Sequence, residues 1–302
     1  MLMELGMIGL GRMGLNMVKR LLQGGQEVMV YNRTLAKVRE IEQQGARGAY
    51  TLADLVGGLS RPRAVWLMLP AGSVIDEHLD PLKDLLEPDD LVIDGGNSFY
   101  RDDLRRAETL ASQGIRWLDV GVSGGIYGLE KGYCLMVGGS PENYQRVEPL
   151  LTVLSPPGGC LYCGPTGSGH FAKMIHNGIE YGMMQAYAEG FHLLEASPYG
   201  DSFDLARLAH LWNQGSVIRS WLLELAEKVL ARDPKLASLR GVVEDSGEGR
   251  WTAQQAIECG IPAPVITLSL IQRFISHDPN LFANRMLAAL RQEFGGHKAK
   301  TA

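Results

Sequence analysis

Long apolar runs, paired cysteine clusters and an excess of basic charge are all missing from this chain, and each absence removes a class of function. A membrane-spanning helix needs about 20 consecutive apolar residues; none of the 302 residues belongs to such a run, so no membrane partner is expected. Lys and Arg number 29 against 34 Asp and Glu, a net charge of −5, and no basic run occurs outside the Lys298/Lys300 tail. That balance argues against nucleic acid, and an anionic substrate would have to be met by a local cluster of Arg and Lys instead of a global field. There are four cysteines, and only Cys160 and Cys163 stand at a suggestive spacing, with no second pair to complete a metal site. A reduced, cytoplasmic protein is the expectation. The opening Met1 to Gly9 lacks a basic n-region and reads as a strand, not as a signal peptide. No internal repeat or low-complexity tract occurs. What remains is an ordinary globular composition, 45% hydrophobic and 21% charged, in a chain long enough for two domains.

The first half alternates between strand and helix. Leu2 to Ile8 is an apolar strand that runs into Gly9, Leu10, Gly11, Arg12, Met13 and Gly14. An amphipathic stretch from Leu15 to Leu22 and a second strand from Glu27 to Tyr31 follow. Strand, GxGxxG, helix and strand together form the setting in which this motif binds a dinucleotide. Gly9 permits the tight turn, Gly11 lets a pyrophosphate approach the backbone, and Gly14 lets the helix lie close to the sheet; the helix N-terminus then faces the phosphates. After the second strand a carboxylate would favour NAD. The chain has Asn32, Arg33 and Thr34 instead, whose guanidinium and hydrogen-bonding groups suit the 2′-phosphate of NADP.

The alternation continues through Ala64 to Leu69, Leu91 to Asp94, Arg116 to Val122, Tyr133 to Val137 and Cys160 to Cys163 as strands, with a helix from Pro141 to Leu154. Ligands in open α/β sheets gather at the carboxyl ends of strands. This places Leu69, Pro70 and Asn97 beside the cofactor. Ser123, Gly124 and Gly125 close the strand before them either as a ligand-facing turn or as a plain one.

From Thr166 to Ala196 the chain has no proline and is rich in Ala, Met, Leu, Ile and Glu. The spacing predicts one long helix, roughly 40 Å end to end. Lys173, His176, Asn177, Glu180 and Tyr181 fall at relative positions 0, 3, 4, 7 and 8, so at roughly 100° per residue they share one face. A stripe at core spacing is usually apolar. This one holds a base, an imidazole, an amide, a carboxylate and a phenol, and it reads as a site wall, with a solvated face or a structural polar network as the alternative.

Beyond it the strands stop, and further helices are expected at Asp204 to Trp212, Ser220 to Leu230, Thr252 to Cys259, Ala263 to Ser276 and Phe282 to Arg291. The resulting expectation is an α/β N-terminal Rossmann-type domain with a mostly parallel sheet, residues 1–165, followed by an all-α C-terminal domain built on the long helix, residues 166–302. The site is expected in the cleft between domains. In the second domain, the glycine loop from Asp245 to Gly249 delivers Arg250 to a helix start, where a phosphate would be favoured. Arg273 lies in a mostly apolar helical stretch, and since a buried arginine without an anion is costly, an acidic ligand or a protein carboxylate is expected near it. Arg291 and His297 lie near the C-terminus, where they could equally complement a helix dipole.

Four of these elements, Ile93 to Ser98, Val122 to Gly125, Gly169 to Tyr181 and Gly249 to Thr252, resemble the decarboxylating 6-phosphogluconate dehydrogenases, in their short-length branch within the β-hydroxyacid dehydrogenase superfamily. The likeness runs from Gly9 to His297. Its most diagnostic part is His176-Asn177-Gly178-Ile179-Glu180-Tyr181, which the broader superfamily does not share. The resemblance implies Lys173 as general base and Glu180 as general acid. It implies that Asn97, Ser123, Gly124, Gly125, His176 and Asn177 hold the sugar acid and that Tyr181, Arg250 and Arg273 bind its phosphate. Arg291 and His297 would reach the site from a neighbouring subunit of a homodimer or homotetramer. Arg250 stands where the long form has lysine, Ile126 and Tyr127 where it has an acidic pair, and much of the long form's helical domain is absent.

The activity this implies is conversion of 6-phospho-D-gluconate to ribulose 5-phosphate and CO₂ in the pentose phosphate pathway, with hydride passing to NADP or, alternatively, NAD. A lysine can take the hydroxyl proton if its surroundings lower its pKa, and in protonated form can polarise the new carbonyl while CO₂ leaves. No acidic cluster in the sequence is placed to hold a divalent ion, so metal-independent chemistry is expected. The competing readings are a β-hydroxyacid dehydrogenase that does not decarboxylate, and a non-catalytic NADP(H)-binding sensor.

Overall fold

The computed structural model describes residues 3–278 and 282–287. The chain divides into two compact units, Met1–Ile175 and His176–Ala302. In the first, the elements in chain order are β1 (Glu4–Ile8), α1 (Arg12–Gln23), β2 (Glu27–Tyr31), α2 (Leu35–Glu42), β3 (Arg47–Ala49), α3 (Leu52–Gly57), β4 (Ala64–Leu67), α4 (Ser73–Leu85), β5 (Leu91–Asp94) and α5 (Tyr100–Ala111). They are followed by β6 (Arg116–Ser123), a short α6 (Gly128–Lys131), β7 (Cys134–Gly139), α7 (Pro141–Leu154) and β8 (Cys160–Gly164). The long α8 (Ser168–Glu195) begins in the first unit and ends in the second.

The strands build one eight-stranded sheet in the order β3-β2-β1-β4-β5-β6-β7-β8, parallel throughout except for the antiparallel β6–β7 pair. Its central strands β1, β4, β5 and β6 are buried on both faces, which is why they read as continuous apolar runs, whereas the edge strands β3 and β8 are partly exposed. Alternate residues face opposite layers. Leu5, Val28, Val30, Trp66 and Ile93 join Met17, Leu21, Val147 and Leu150 from α1 and α7 in one core. Ile8, Met29, Val65, Leu67 and Val92 join Leu55, Ile75, Leu79 and Leu82 from α3 and α4 in the other. The period of two along each strand and of 3.6 along each helix thus produces three layers. The strand order reverses between β1 and β4, the point at which a doubly wound sheet opens a crevice.

In the second unit α8 continues, followed by α9 (Leu205–Trp212), α10 (Trp221–Arg232), α11 (Glu248–Cys259) and α12 (Pro264–His277), with residues 282–287 helical as well. Asp204 and Ser220 cap α9 and α10 by accepting from Arg207 N and Leu223 N. The interior of this unit is thin among the described residues: Tyr181, Ala253 and Leu270 form a cluster. Large apolar residues face outward instead, among them Val217, Ile257, Val265 and Leu268, at 99%, 80%, 67% and 62% exposure.

The sheet, its near-uniform parallel sense and the helical second half match the sequence expectation. The eight-residue α2, three-residue β3 and six-residue α3 are too short to give a periodic signal in the sequence. α11 begins at Glu248, not at Thr252, because Gly247 turns the chain at φ 107° and the buried Glu248 accepts from Ser246 Oγ at 2.7 Å.

Candidate active site

The glycine turn after β1 separates what the fold requires from what it leaves open. Gly9 has φ +101°, and a methyl group there would collide with the carbonyl of Met68; one at Gly14 would collide with the carbonyl of Gly9. A methyl at Gly11 would meet no atom within 4 Å. Gly9 and Gly14 are therefore demanded by the turn and by helix–sheet contact, whereas Gly11 borders free space. Gly11 also caps α1 without a side-chain bond, and no acid occupies the first turn, so the helix start suits an anion. These residues fit a dinucleotide pyrophosphate.

Asn32 is engaged locally. Its Oδ1 accepts from Leu10 N at 2.9 Å and its Nδ2 donates to the Thr34 carbonyl at 3.1 Å, tying the end of β2 to the glycine turn. Arg33 is exposed beside it. Lys37, which the sequence reading missed, donates from Nζ to the Leu10 carbonyl at 3.0 Å and brings a second cation to this corner. Its position one turn beyond Arg33, on the exposed side of α2, was the available signal.

The ends of β5 and β6 show how the small-residue turns are held. Asp94 accepts from Gly96 N at 2.9 Å and from Ser98 Oγ at 2.7 Å, which folds the turn that presents the half-buried Asn97. A side chain at Gly95 would collide with the Trp66 indole nitrogen. Gly124 and Gly125 both take positive φ, 131° and 53°, so Ser123 is followed by a turn that favours glycine.

Beneath these turns lies a buried charged network absent from the sequence reading. Asp119, on β6 and fully buried, accepts from Gly167 N at 2.7 Å and His170 N at 2.9 Å, and so caps the start of α8 from across the sheet. His170 Nδ1 pairs with Asp103 Oδ2 at 2.7 Å, with both side chains fully buried. Arg106 bonds Asp76 at 2.9 Å and lies 3.6 Å from Asp94. Burial alone would drive the His170 imidazole neutral, but Asp103, with Asp94 and Asp119 behind it, raises its pKa to about 10. Asp94, Asp103 and His170 offer ligand atoms within 4.8 Å of one another, a spacing suited to a cation. Asp94 is already bonded to Ser98 and Gly96, Asp103 to a protonated imidazole, and a guanidinium adjoins them; the chemistry is that of an ion-pair lattice.

Lys173 stands one turn beyond His170, 8% exposed. A side chain at Gly121 of β6 would overlap the Lys173 Cβ, and one at Gly169 would overlap the Met136 carbonyl. The first turns of α8 therefore rest directly on sheet backbone, and glycines at 121, 138 and 169 make that approach possible.

In the second unit, His176 Nδ1 lies 3.0 Å from Asn177 Oδ1 and 3.9 Å from Glu180 Oε2. Tyr181 is buried, its hydroxyl bonded to Asp245 Oδ1 at 3.4 Å, and burial raises its phenol above the usual range. Arg250 bonds Asp245 through Nε and lies over the Phe274 ring, 4.4 Å from its centroid. Burial pushes the Asp245 carboxyl up, but the Arg250 bond and the Gly247 N–H hold it below the usual carboxylate range. The expectation for Arg273 is corrected. It is half-exposed, its guanidinium stacks 3.4 Å from the Tyr181 ring centroid, and it donates to the Glu244 carbonyl at 2.8 Å, with no carboxylate among the described residues as its hydrogen-bond partner. Leu268, Ile271, Phe274 and Ile275 around it are exposed, so the apolar stretch does not bury it among the described residues. Tyr181, Arg250 and Arg273 nonetheless converge, and Gly249 permits it, since a methyl there would strike the Tyr181 ring.

Residues 4–164 match the NAD binding domain of 6-phosphogluconate dehydrogenase, and residues 169–300 match that enzyme's C-terminal domain. The chain belongs to the 6-phosphogluconate dehydrogenase family. It is 43% identical over 298 residues to an NAD(+)-dependent, decarboxylating 6-phosphogluconate dehydrogenase of Haloferax volcanii, covering 98% of each chain. With an NAD(+)-dependent, decarboxylating 6-phosphogluconate dehydrogenase of Bacillus subtilis it shares 38% identity over 287 residues, 90% of this chain and 61% of the relative. Among solved structures, the Plasmodium falciparum 6-phosphogluconate dehydrogenase, solved with NADP+ and with 6-phosphogluconate, superposes with a TM-score of 0.83 at 30% identity, covering 99% of this chain and 66% of that one. The chain thus covers 98% of a short relative and 61% to 66% of the long ones.

As a 6-phosphogluconate dehydrogenase family member it is an NAD(P)-dependent oxidoreductase. Within it, the first unit assembles Gly9 to Gly14, Asn32 to Thr34, Leu69, Pro70, Asn97 and Ser123 to Gly125 at the carboxyl ends of parallel strands, and the second assembles His176, Asn177, Glu180, Tyr181, Arg250 and Arg273. Arg291 and His297 lie outside the described residues. Burial raises the thiols of Cys160 and Cys163, which keeps them in the protonated, unreactive form. No helix among the described residues is long and apolar enough to cross a membrane.

Proposed function

We propose that this chain oxidises and decarboxylates 6-phospho-D-gluconate to ribulose 5-phosphate and CO₂, that Lys173 and Glu180 conduct its proton transfers, and that no metal ion takes part. The observation that carries the reading is Lys173 itself, buried at the foot of α8 and seated on Gly121, with His176, Asn177 and Glu180 on the following turns of the same helix. Residues 1–165 serve as the dinucleotide domain and residues 166–302 as the substrate and assembly domain.

When bound, the nicotinamide accepts a hydride from the substrate's secondary alcohol. Lys173 takes the hydroxyl proton at Nζ as the carbonyl forms. Now protonated, it bonds the new carbonyl oxygen and gives it that proton as CO₂ leaves from the neighbouring carbon, and it takes the proton back when the enediol is later protonated at carbon. Glu180, seven residues along the helix, then donates a proton to the former α-carbon of the enediol. Asn97, Ser123, Gly124, Gly125, His176 and Asn177 orient the sugar acid, and Tyr181, Arg250 and Arg273 receive its phosphate.

NADP is the proposed electron acceptor. No acid follows β2, and Arg33 and Lys37 supply two cations at that corner. Replacing Arg33 by serine is expected to lower the ratio of kcat/KM for NADP to that for NAD by roughly ten- to a hundredfold, the worth of one charge-assisted bond. An unchanged ratio would remove Arg33 from cofactor choice.

The protein is proposed to act as a homo-oligomer in the cytoplasm, with Arg291 and His297 near a neighbour's site. The outward-facing Val217, Ile257, Val265 and Leu268 support association, since burying such apolar side chains against a neighbour would be favourable. The deciding experiment supplies 6-phosphogluconate with NADP and NAD separately after EDTA treatment and follows reduced cofactor and CO₂. Stoichiometric release of both without added metal is expected. Reduced cofactor without CO₂ would make it a non-decarboxylating dehydrogenase, and no turnover with either cofactor a sensor.

A further inference from the structure

The resting partners of the proposed phosphate ligands point to a residue that governs substrate selection. Tyr181, Arg250 and Arg273 come from α8, α11 and α12, yet all three are answered by two consecutive residues of the loop before α11. Asp245 Oδ2 accepts from Arg250 Nε, and its Oδ1 accepts from the Tyr181 hydroxyl at 3.4 Å and from Gly247 N at 3.0 Å. The carbonyl of Glu244 accepts from Arg273 Nη1 at 2.8 Å. The Asp245 side chain is only 7% exposed, against 56% for Arg250, so its charge faces these donors and not water.

We propose that Asp245, together with the Glu244 carbonyl, is an internal stand-in for a phosphate group that the substrate's phosphate must displace, and that this exchange sets the preference for phosphorylated over unphosphorylated sugar acids. The inference rests on the phosphate-binding reading of Tyr181, Arg250 and Arg273. A phosphate monoester carries a charge near −2 and three strong acceptor oxygens, so it can satisfy all three donors at once. A sugar acid without phosphate offers hydroxyls in their place and cannot draw Arg250 away from a carboxylate. An empty pocket without Asp245 would hold two arginines open to any small anion; with it, only a dianion gains enough to enter. The cost is weaker affinity for the correct substrate, because the displaced carboxylate remains nearby and repels it. Removing a unit charge roughly 7 Å from the phosphate should tighten binding roughly five- to tenfold even at a water-like dielectric.

The test uses the full-length protein with Asp245→Asn, which keeps the side-chain shape and an acceptor for Gly247 N while removing the charge. Inorganic phosphate is the probe, as a competitive inhibitor of 6-phosphogluconate oxidation and as a ligand that raises the melting temperature, a readout independent of turnover. KM for 6-phosphogluconate and the inhibition constant for phosphate are both expected to fall roughly five- to tenfold, with a larger thermal shift at a given phosphate concentration. If either constant stays at the wild-type value or rises, Asp245 is not a stand-in, and a rise would make it a positioning residue for Arg250. Arg250→Met is measured in parallel. If it weakens phosphate inhibition while Asp245→Asn fails to strengthen it, only the present inference falls; if Arg250→Met changes neither constant, the phosphate-binding reading falls and takes this inference with it.

Discussion

Lys173→Ala is expected to lower kcat for 6-phosphogluconate by roughly a thousandfold or more, with affinity for the dinucleotide near the wild-type value. General acid–base catalysis by one group is worth about 10² to 10⁴. The upper part of that range applies here because one amine serves two steps, first taking the hydroxyl proton and then stabilising the oxygen as CO₂ departs. Its placement is built into the backbone. The Lys173 stem packs against Gly121, where no side chain intervenes, and α8 is capped from Asp119, so the amine's root cannot drift. The dinucleotide cradle at Gly9 to Gly14 lies on other elements and should be untouched, which a fluorescence titration with NADPH would verify. Lys173→Arg should not restore activity, since a guanidinium does not give up its proton in the working range and so cannot accept one. A near-normal rate for Lys173→Ala would remove lysine as the base.

The residues legible in the sequence were those whose signals are local. GxGxxG after a strand, the alternation of buried strands and helices, and the proline-free run that becomes Ser168–Glu195 each depend on neighbours a few positions apart. The polar stripe from Lys173 to Tyr181 was visible for the same reason. What stayed hidden joins residues far apart in the chain. His170 meets Asp103 across 67 positions, and Asp119 caps α8 from 48 and 51 positions away. No periodicity encodes such pairs. Single carboxylates inside otherwise apolar strands, Asp94 in β5 and Asp119 in β6, were the one clue, because a buried acid in a parallel strand must have partners. Asp245 was hidden for a different reason: the glycine loop advertised its arginine, and only the fold shows the acid already holding it.

Asp103→Asn is expected to destabilise the protein by about 3 to 5 kcal/mol, the usual cost of breaking a buried ion pair from one side. A melting temperature lower by roughly 10 °C should follow for a domain of this size. The sign of the pH dependence provides a sharper check. His170 holds its proton to about pH 10 in the folded chain, against an ordinary value of 6.5. Between those two values the folded protein keeps a proton that the unfolded chain has released. Stability contributed by His170 is therefore complete below about pH 6 and declines as pH rises toward 10, at up to about 1.4 kcal/mol per pH unit. In Asp103→Asn the nearest carboxylate is gone and burial favours the neutral ring, so that slope should flatten. Burial raises the Asp103 carboxyl itself to about 7, so melting curves of both proteins from pH 8 to 10, where that carboxyl is ionised, isolate the effect, the other groups being common to the two. Parallel profiles would show that His170 is neutral in the wild-type fold. A converging pair would tie the charge of His170 to the start of α8, and through the single turn that separates them, to the footing of Lys173.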